Sequence, residues 1–350
     1  MANCKLGPFD VSAIGLGCMN LSAGYGPADD EDSEQLLLAT LEEGGTRLFD
    51  TAAIYGAGHS EKLLGRVLHN RRQQFVLASK GGLSKDTAGN SNVCGRPEAL
   101  KLQCEQSLRR LQTEVIDLYY LHRLDPQVPV EESVGAMGEL VREGKIQALG
   151  LSEVCRDTLL RGHREYPISA VQSEYSLWSR TPERAMLSTC AELDITFVPF
   201  APLGRGFLAG SAQPVDQLCE DDIRCSMARP RFETANFKRN SELLVPLRRI
   251  ANRNGCNLAQ LALAWLLSRG RKTEGVLSAG GRDASTDERC RIIPIPGTRS
   301  IEHMRQNLAA EAICLSPEDL AELDQLVNDD TVAGKRYNEA LMASADSERD

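Results

Sequence analysis

Along the chain, short runs of consecutive apolar residues alternate with stretches in which apolar positions recur every three or four residues. The runs are IGLG (14–17), TRLFD (46–50), FVLASK (75–80), VIDLYYLH (115–122), KIQALGLS (145–152), ISAVQSE (168–174), ITFVPF (195–200) and RIIPIP (291–296). Each has the length of a strand, and near-continuous apolarity marks strands buried on both faces. The periodic stretches read as helices. Pro97 opens one whose apolar face runs to Leu111. A second carries Val130, Val134, Met137 and Leu140 or Val141 and stops at Gly144, and a third runs from Pro182 to about Leu193.

Eight apolar strands separated mostly by helices predict an α/β protein with a parallel sheet closed into a single-domain (β/α)8 TIM barrel. The alternative, an open doubly wound sheet, needs a glycine fingerprint after the first strand and an acid about 20 residues on. IGLGCMNLSAGYG offers GLG, but no third glycine follows at the right offset. The barrel is expected over residues 6–337. Two segments break the rhythm. Residues 204–237 form a long connection after strand seven, of the kind that serves as a functional loop. Residues 270–290, polar and without period, read as a surface insertion on the face opposite the strand C-termini. The acidic tail 338–350 (NEALMASADSERD) is expected to be mobile.

Composition narrows the function classes. The 350 residues carry 40 Lys+Arg against 49 Asp+Glu, a formal net charge of −9, with no broad basic face for nucleic acid. No run approaches the ~18 apolar residues of a membrane-spanning helix. MANCKLGPFD lacks the charged start and apolar core of a signal peptide. The 11 cysteines are odd in number and contain no CxxC pair, which suits free thiols in a reducing cytoplasm. Cys104, sharing a helical face with Leu100, Leu108 and Leu111, reads as a small buried hydrophobe. The five histidines show no HxH or HExxH spacing, so a metal-dependent hydrolase is disfavoured.

In a (β/α)8 barrel the chemistry sits at the C-terminal ends of the strands. Strand two ends in Asp50, strand three in Lys80 and strand four in His122, with Tyr55 five residues past Asp50. Taken singly, a strand-end Asp caps a loop, a Lys meets solvent, and a His or Tyr packs. At three consecutive strand ends the four suit one task. Asp50 would fix Lys80 as an ammonium, and Lys80 would lower the Tyr55 phenol from its usual ~10 by roughly a unit or more. Tyr55 could then protonate a carbonyl oxygen oriented by His122. No side chain supplies hydride, so a nicotinamide cofactor is required.

DTAAIYG, ASKGG and IDLYYLHR resemble the tetrad segments of the aldo/keto reductase superfamily. GLGCMNLSAGYG, GLSEV, SAVQSEYSLWSR, PFAPLGRGFL and PIPGTR extend the resemblance from about Leu6 to Tyr337, and several are most similar to the branch that includes pyridoxal and perakine reductases. The resemblance implies catalytic roles for Asp50, Tyr55, Lys80 and His122. It places Ser152 and Gln172 on the nicotinamide carboxamide and Tyr175 stacked on its ring. Leu203, Gly204, Arg205, Gly206 and Phe207 would cradle the pyrophosphate. Gly297, Thr298 and Arg299 would lie at the adenosine end, with Arg299 reading the 2′-phosphate and favouring NADP(H). His303 stands where many relatives have arginine; Gln306 and Asn307 would contact adenine. Glu153 stands where many relatives have Asn.

The function implied is NADPH-dependent reduction of an aldehyde or ketone, in the alcohol dehydrogenase/carbonyl reductase class. Met19, Tyr25, Trp178 and residues 228–232 are the expected pocket walls. The rival implied by the same resemblance is a cofactor-binding regulatory barrel like the potassium-channel beta subunits.

Overall fold

The computed structural model describes residues 3–22, 24–85, 91–270 and 290–350. Seven parallel strands follow one another around the sheet: β1 (Leu16–Gly17), β2 (Leu48–Asp50), β3 (Val76–Gly81), β4 (Ile116–Leu121), β5 (Ile146–Ser152), β6 (Ala170–Glu174) and β7 (Thr196–Phe200). Each lies on one of the apolar runs, shortened at one or both ends or, for β3, shifted by one residue. The eighth run, 291–296, closes the cylinder without forming a full strand. On one side Ile293 and Ile295 donate to the carbonyls of Phe197 and Pro199; on the other, Gly15 and Gly17 donate to Pro294 and Pro296. Pro294 and Pro296 have no N–H to return to β1, so half of that ladder cannot form.

Helices cover the cylinder: α1 (Asp30–Glu42), α2 (His59–Leu68), α3 (Pro97–Leu111), α4 (Val130–Arg142), α5 (Arg156–Glu165), α6 (Met186–Glu192), α7 (Leu258–Gly270) and α8 (Ile301–Ala309). The third helix expected from Pro182 is broken. A turn at Thr181–Glu183 is separated from α6 by Ala185, whose φ of −147° is not helical. Alternation along the strands divides the apolar residues into two cores. Phe49, Leu77, Tyr119, Leu149, Val171 and Phe197 face the helices. Leu48, Ala78, Leu118, Ala148, Ala170, Val198 and Ile293 fill the cylinder. A hairpin of Asn3–Leu6 and Phe9–Ser12 plugs the N-terminal end, its Leu6 and Val11 joining the interior core.

The long connection after β7 is organised into short helical turns and a helix at Thr234–Ser241. It crosses to the loop after β1, where the Ile223 N–H donates to the Gly24 carbonyl at 2.9 Å and the Arg224 guanidinium lies 5.2 Å from the Tyr25 ring centre. The tail expected to be mobile is instead docked: it forms a helix at Glu339–Ser344 and a turn at Asp346–Arg349, with Asp346 and Ser347 buried. Of the expected insertion at 270–290, residues 271–289 lie outside the described residues. Among the described residues, no helix is long and apolar enough to cross a membrane.

Candidate active site

Because Leu48, Ala78 and Leu118 point inward, the period of two sends Asp50, Lys80 and Tyr120 inward as well, one layer nearer the strand C-termini. Lys80 is buried, and its ammonium donates to Asp50 Oδ1 at 2.5 Å, to the Thr51 carbonyl at 2.7 Å and to the Tyr55 hydroxyl at 3.4 Å. Gln172 braces the second Asp50 oxygen at 2.8 Å and hydrogen-bonds Tyr120. The Tyr55 ring meets the His122 ring edge-on, centres 5.9 Å apart. The four residues picked from the strand ends therefore converge on one point.

Electrostatics gives each a distinct protonation state. Burial would lower the Lys80 pKa, but the charges and hydrogen bonds of Asp50 and Tyr55 together outweigh it and the net shift is upward. Burial, with Arg123 and Lys80 adding to it, pushes His122 well below the ordinary 6.5, so its imidazole is neutral. His122 Nδ1 is buried without a hydrogen-bond partner. Tyr55 departs from expectation. Enclosure of its hydroxyl raises the phenol above 10.0, and Lys80 recovers only part of the shift.

Several expected cofactor residues surround this point. Ser152 is buried at the end of β5 and accepts from Arg123 at 3.2 Å, while Arg123 also donates to the His122 carbonyl at 2.7 Å. Gly204, Arg205 and Gly206 have φ of 56°, 57° and 91°, a left-handed run that rolls the backbone into a concave turn beside Leu203. A Cβ on Gly204 would stand 2.7 Å from the Trp178 indole, so glycine is required there twice over. Thr298 and Asn307 are buried, His303 is exposed, and Gln306 bonds Asn257 and Glu302 around α8. Ser300 caps α8 by accepting from the His303 N–H.

Two placements correct the expectations, and a third adds to one. Tyr175 is not at the mouth of the barrel. Gln172 and Glu174 take the inward positions, so Tyr175 turns outward, fully buried between Phe197 and Trp265, with its hydroxyl on Glu183 at 2.7 Å. Trp178 does not wall the pocket; it stacks on Phe207 at 4.4 Å beneath the glycine turn. Arg299 is engaged with protein, donating to the carbonyls of Asn20 (2.9 Å), Pro27 (2.6 Å), Tyr25 (2.6 Å) and Gly26 (3.2 Å). No carboxylate pairs with it among the described residues.

Other residues at the site were missed. Phe200 ends β7 on the inward face, against the interior core, where the strand-end rule that chose Asp50 and Lys80 would have found it. Beside it lies a buried charge cluster. Glu174 accepts from Arg205 at 2.8 Å and from Ser179 at 2.8 Å, with Arg231 at 3.8 Å and Arg336 at 3.9 Å. Burial lowers Arg231 to about 10; Glu174 opposes this, and the Arg205 and Arg336 charges add to it. A separate cavity of about 630 Å³, lined by Arg72, Thr113, Asp117 and Gln147, opens at the opposite end of the barrel, away from the tetrad.

The Aldo/keto reductase family matches residues 13–328. The chain belongs to the aldo/keto reductase family. A probable aldo-keto reductase from Glycine max is 38% identical over 341 residues, covering 96% of this chain and 92% of that protein. Among solved structures, a Klebsiella pneumoniae aldo-keto reductase in complex with NADPH is similar at 28% identity and TM-score 0.69, covering 97% of this chain and 99% of that one. A glycerol dehydrogenase of Gluconobacter oxydans shares the fold, at TM-score 0.77 and 24% identity over 97% of this chain and 94% of that one. This aldo/keto reductase thus has the (β/α)8 barrel of its relatives.

Proposed function

We propose that this aldo/keto reductase reduces aldehydes or ketones with NADPH, Tyr55 giving the proton. The observation that carries the reading is the Asp50–Lys80–Tyr55 chain facing a neutral His122 whose Nδ1 has no protein partner. The left-handed turn at 204–206, the capped start of α8 and the uncompensated Arg299 charge fit a dinucleotide phosphate. Ser152 and Gln172 would hold the carboxamide, Phe200 takes the stacking place vacated by Tyr175, and Gly297, Thr298, His303, Gln306 and Asn307 would surround the adenosine end. NADP(H) is further supported by the NADPH complex of the Klebsiella relative.

When bound, NADPH supplies the hydride. The chain's own residues manage the proton. His122, neutral, donates a hydrogen bond to the substrate carbonyl and fixes its direction. Tyr55 transfers its proton to that oxygen as negative charge develops there. The Lys80 ammonium then faces the phenolate, and Asp50 keeps Lys80 charged and in place.

The test follows NADPH oxidation against a panel including pyridoxal, nitrobenzaldehyde and a simple ketone, with NADH controls. Tyr55→Phe should keep the NADPH dissociation constant within about twofold and lower kcat by roughly 10²–10⁴, the usual scale for removing a general acid. Tight NADPH binding without turnover across the panel would favour the regulatory barrel instead.

A further inference from the structure

Glu153 follows Ser152 at the end of β5, and its backbone is left-handed, with φ of 57°. A residue with a Cβ holds that conformation only when its surroundings fix it. Here every oxygen of Glu153 is used. Oε1 accepts from Arg336 Nη1 at 3.1 Å and from the Glu174 N–H at 2.9 Å. Oε2 accepts from Arg336 Nη2 at 2.7 Å and from the Ser347 hydroxyl at 2.8 Å. The Glu153 carbonyl accepts from the Ser347 N–H at 3.2 Å. The carboxylate is 2% exposed and its fork partner Arg336 is 7% exposed. No acceptor site remains for a ligand, so this carboxylate is committed to Arg336, to the Glu174 N–H and to Ser347 in the segment after Tyr337.

The same segment grips the next residues. Asp346 accepts from the Cys155 N–H at 2.8 Å, and Asp350 accepts from the Arg156 N–H at 2.9 Å, so the start of α5 is capped from nearly two hundred residues away. Glu348 pairs with Arg336 Nε at 2.5 Å, which gives Arg336 a second carboxylate. Glu153, Cys155 and Arg156 are thus pinned by Arg336 and by Asp346–Asp350. Ser152 is joined to them by a single peptide bond.

We propose that Arg336 and the segment Asp346–Asp350 are positioning elements of the active site. They hold the corner after Ser152, and so set where the Ser152 hydroxyl stands. Losing Arg336 leaves a carboxylate buried without its fork, and the cheapest relief is rotation of Glu153 out of its left-handed conformation toward water. That rotation carries Ser152 with it. The inference rests on the proposed reading that Ser152 meets the nicotinamide end of the cofactor. That end is common to NADPH and NADH.

The test uses Arg336→Met in the full chain and a second variant ending at Ala345, which keeps the Arg336–Glu153 pair but removes the caps. Dissociation constants for NADPH and NADH are read by fluorescence titration, and amide hydrogen exchange at Ser152–Arg156 is read without cofactor. Both variants should weaken NADPH and NADH by the same factor, about tenfold or more for Arg336→Met, and speed exchange at those amides. Cofactor affinities within twofold of the parent, in a folded variant, would overturn the proposal; so would a loss confined to NADPH. Should Arg336→Met fail to fold, the truncated variant decides by the same two readouts. Should the parent protein bind neither nucleotide, the functional reading falls, while the exchange rates at 152–156 still decide for or against the clamp.

Discussion

Two opposing influences meet at the Tyr55 hydroxyl: an ammonium that favours phenolate and an enclosure that disfavours it. In this geometry enclosure wins. In the cofactor-free protein, ultraviolet difference titration against Tyr55→Phe should therefore place its ionisation above pH 10.0. Ionisation below that value would mean that Lys80 at 3.4 Å dominates. Arg299 also carries two demands. Its donors hold the loop 20–27 by four backbone carbonyls, yet its charge has no carboxylate partner among the described residues. Arg299→Ala should weaken both NADPH and NADH, since the loop loosens for either. The NADPH loss should be larger, by roughly ten- to a hundredfold, the scale of a charged hydrogen bond. An unchanged NADH constant would reduce Arg299 to a phosphate contact, and equal losses would reduce it to a loop clamp.

At the scale of elements, the glycine turn after β7 is a tight constraint beside the site. Gly204→Ala forces a Cβ into the Trp178 ring at a left-handed position, and should lower stability by about 1–3 kcal/mol in a thermal or denaturant melt. A neutral result would show that Trp178 and Phe207 can slide. This level also separates what the sequence made legible. Seven strands were readable because apolar runs are local. The tetrad was readable because a strand end is a fixed place in a barrel. Tyr175 was misplaced although the means to place it were present: with Gln172 facing in, alternation turns residue 175 out. The docked segment could not be read, because its acidic, small-residue composition resembles a solvated tail. Its anchors on Glu153, Cys155 and Arg156 become neighbours only once the barrel has closed. Likewise, nothing local distinguishes an arginine that reads phosphate from one that gathers carbonyls.

For the whole molecule, the buried charges around Glu153 and Glu174 tie β5, β6, the connection after β7 and the segment after Tyr337 into one unit. That unit is sensitive to acid. Burial would raise the Glu153 pKa, but the Arg336 charge and fork hold it at about 2, against an ordinary 4.5. A carboxylate depressed on folding contributes stability that is complete above about 4.5 and disappears as pH falls through about 2. Acid unfolding of Glu153→Gln should therefore be flatter across that window than that of the parent. An identical acid slope would place the sensitivity in other carboxylates.

The two prolines that close the cylinder bear on how it fails. In a fully laddered barrel, any strand that peels away carries donors and acceptors along both sides and can pair with a second molecule. Within 293–296 the remaining N–H groups, on Ile293 and Ile295, both point to β7. Once detached, this stretch can offer another chain a single competent side, and Pro294 and Pro296 interrupt any strand added there. What peeling does expose is the flank of β1, whose Gly15 and Gly17 amides lose their acceptors, and the flank of β7, whose Phe197 and Pro199 carbonyls lose their donors. Self-association of a partly opened molecule would therefore be written by β1 and β7, with the departing segment as a poor template.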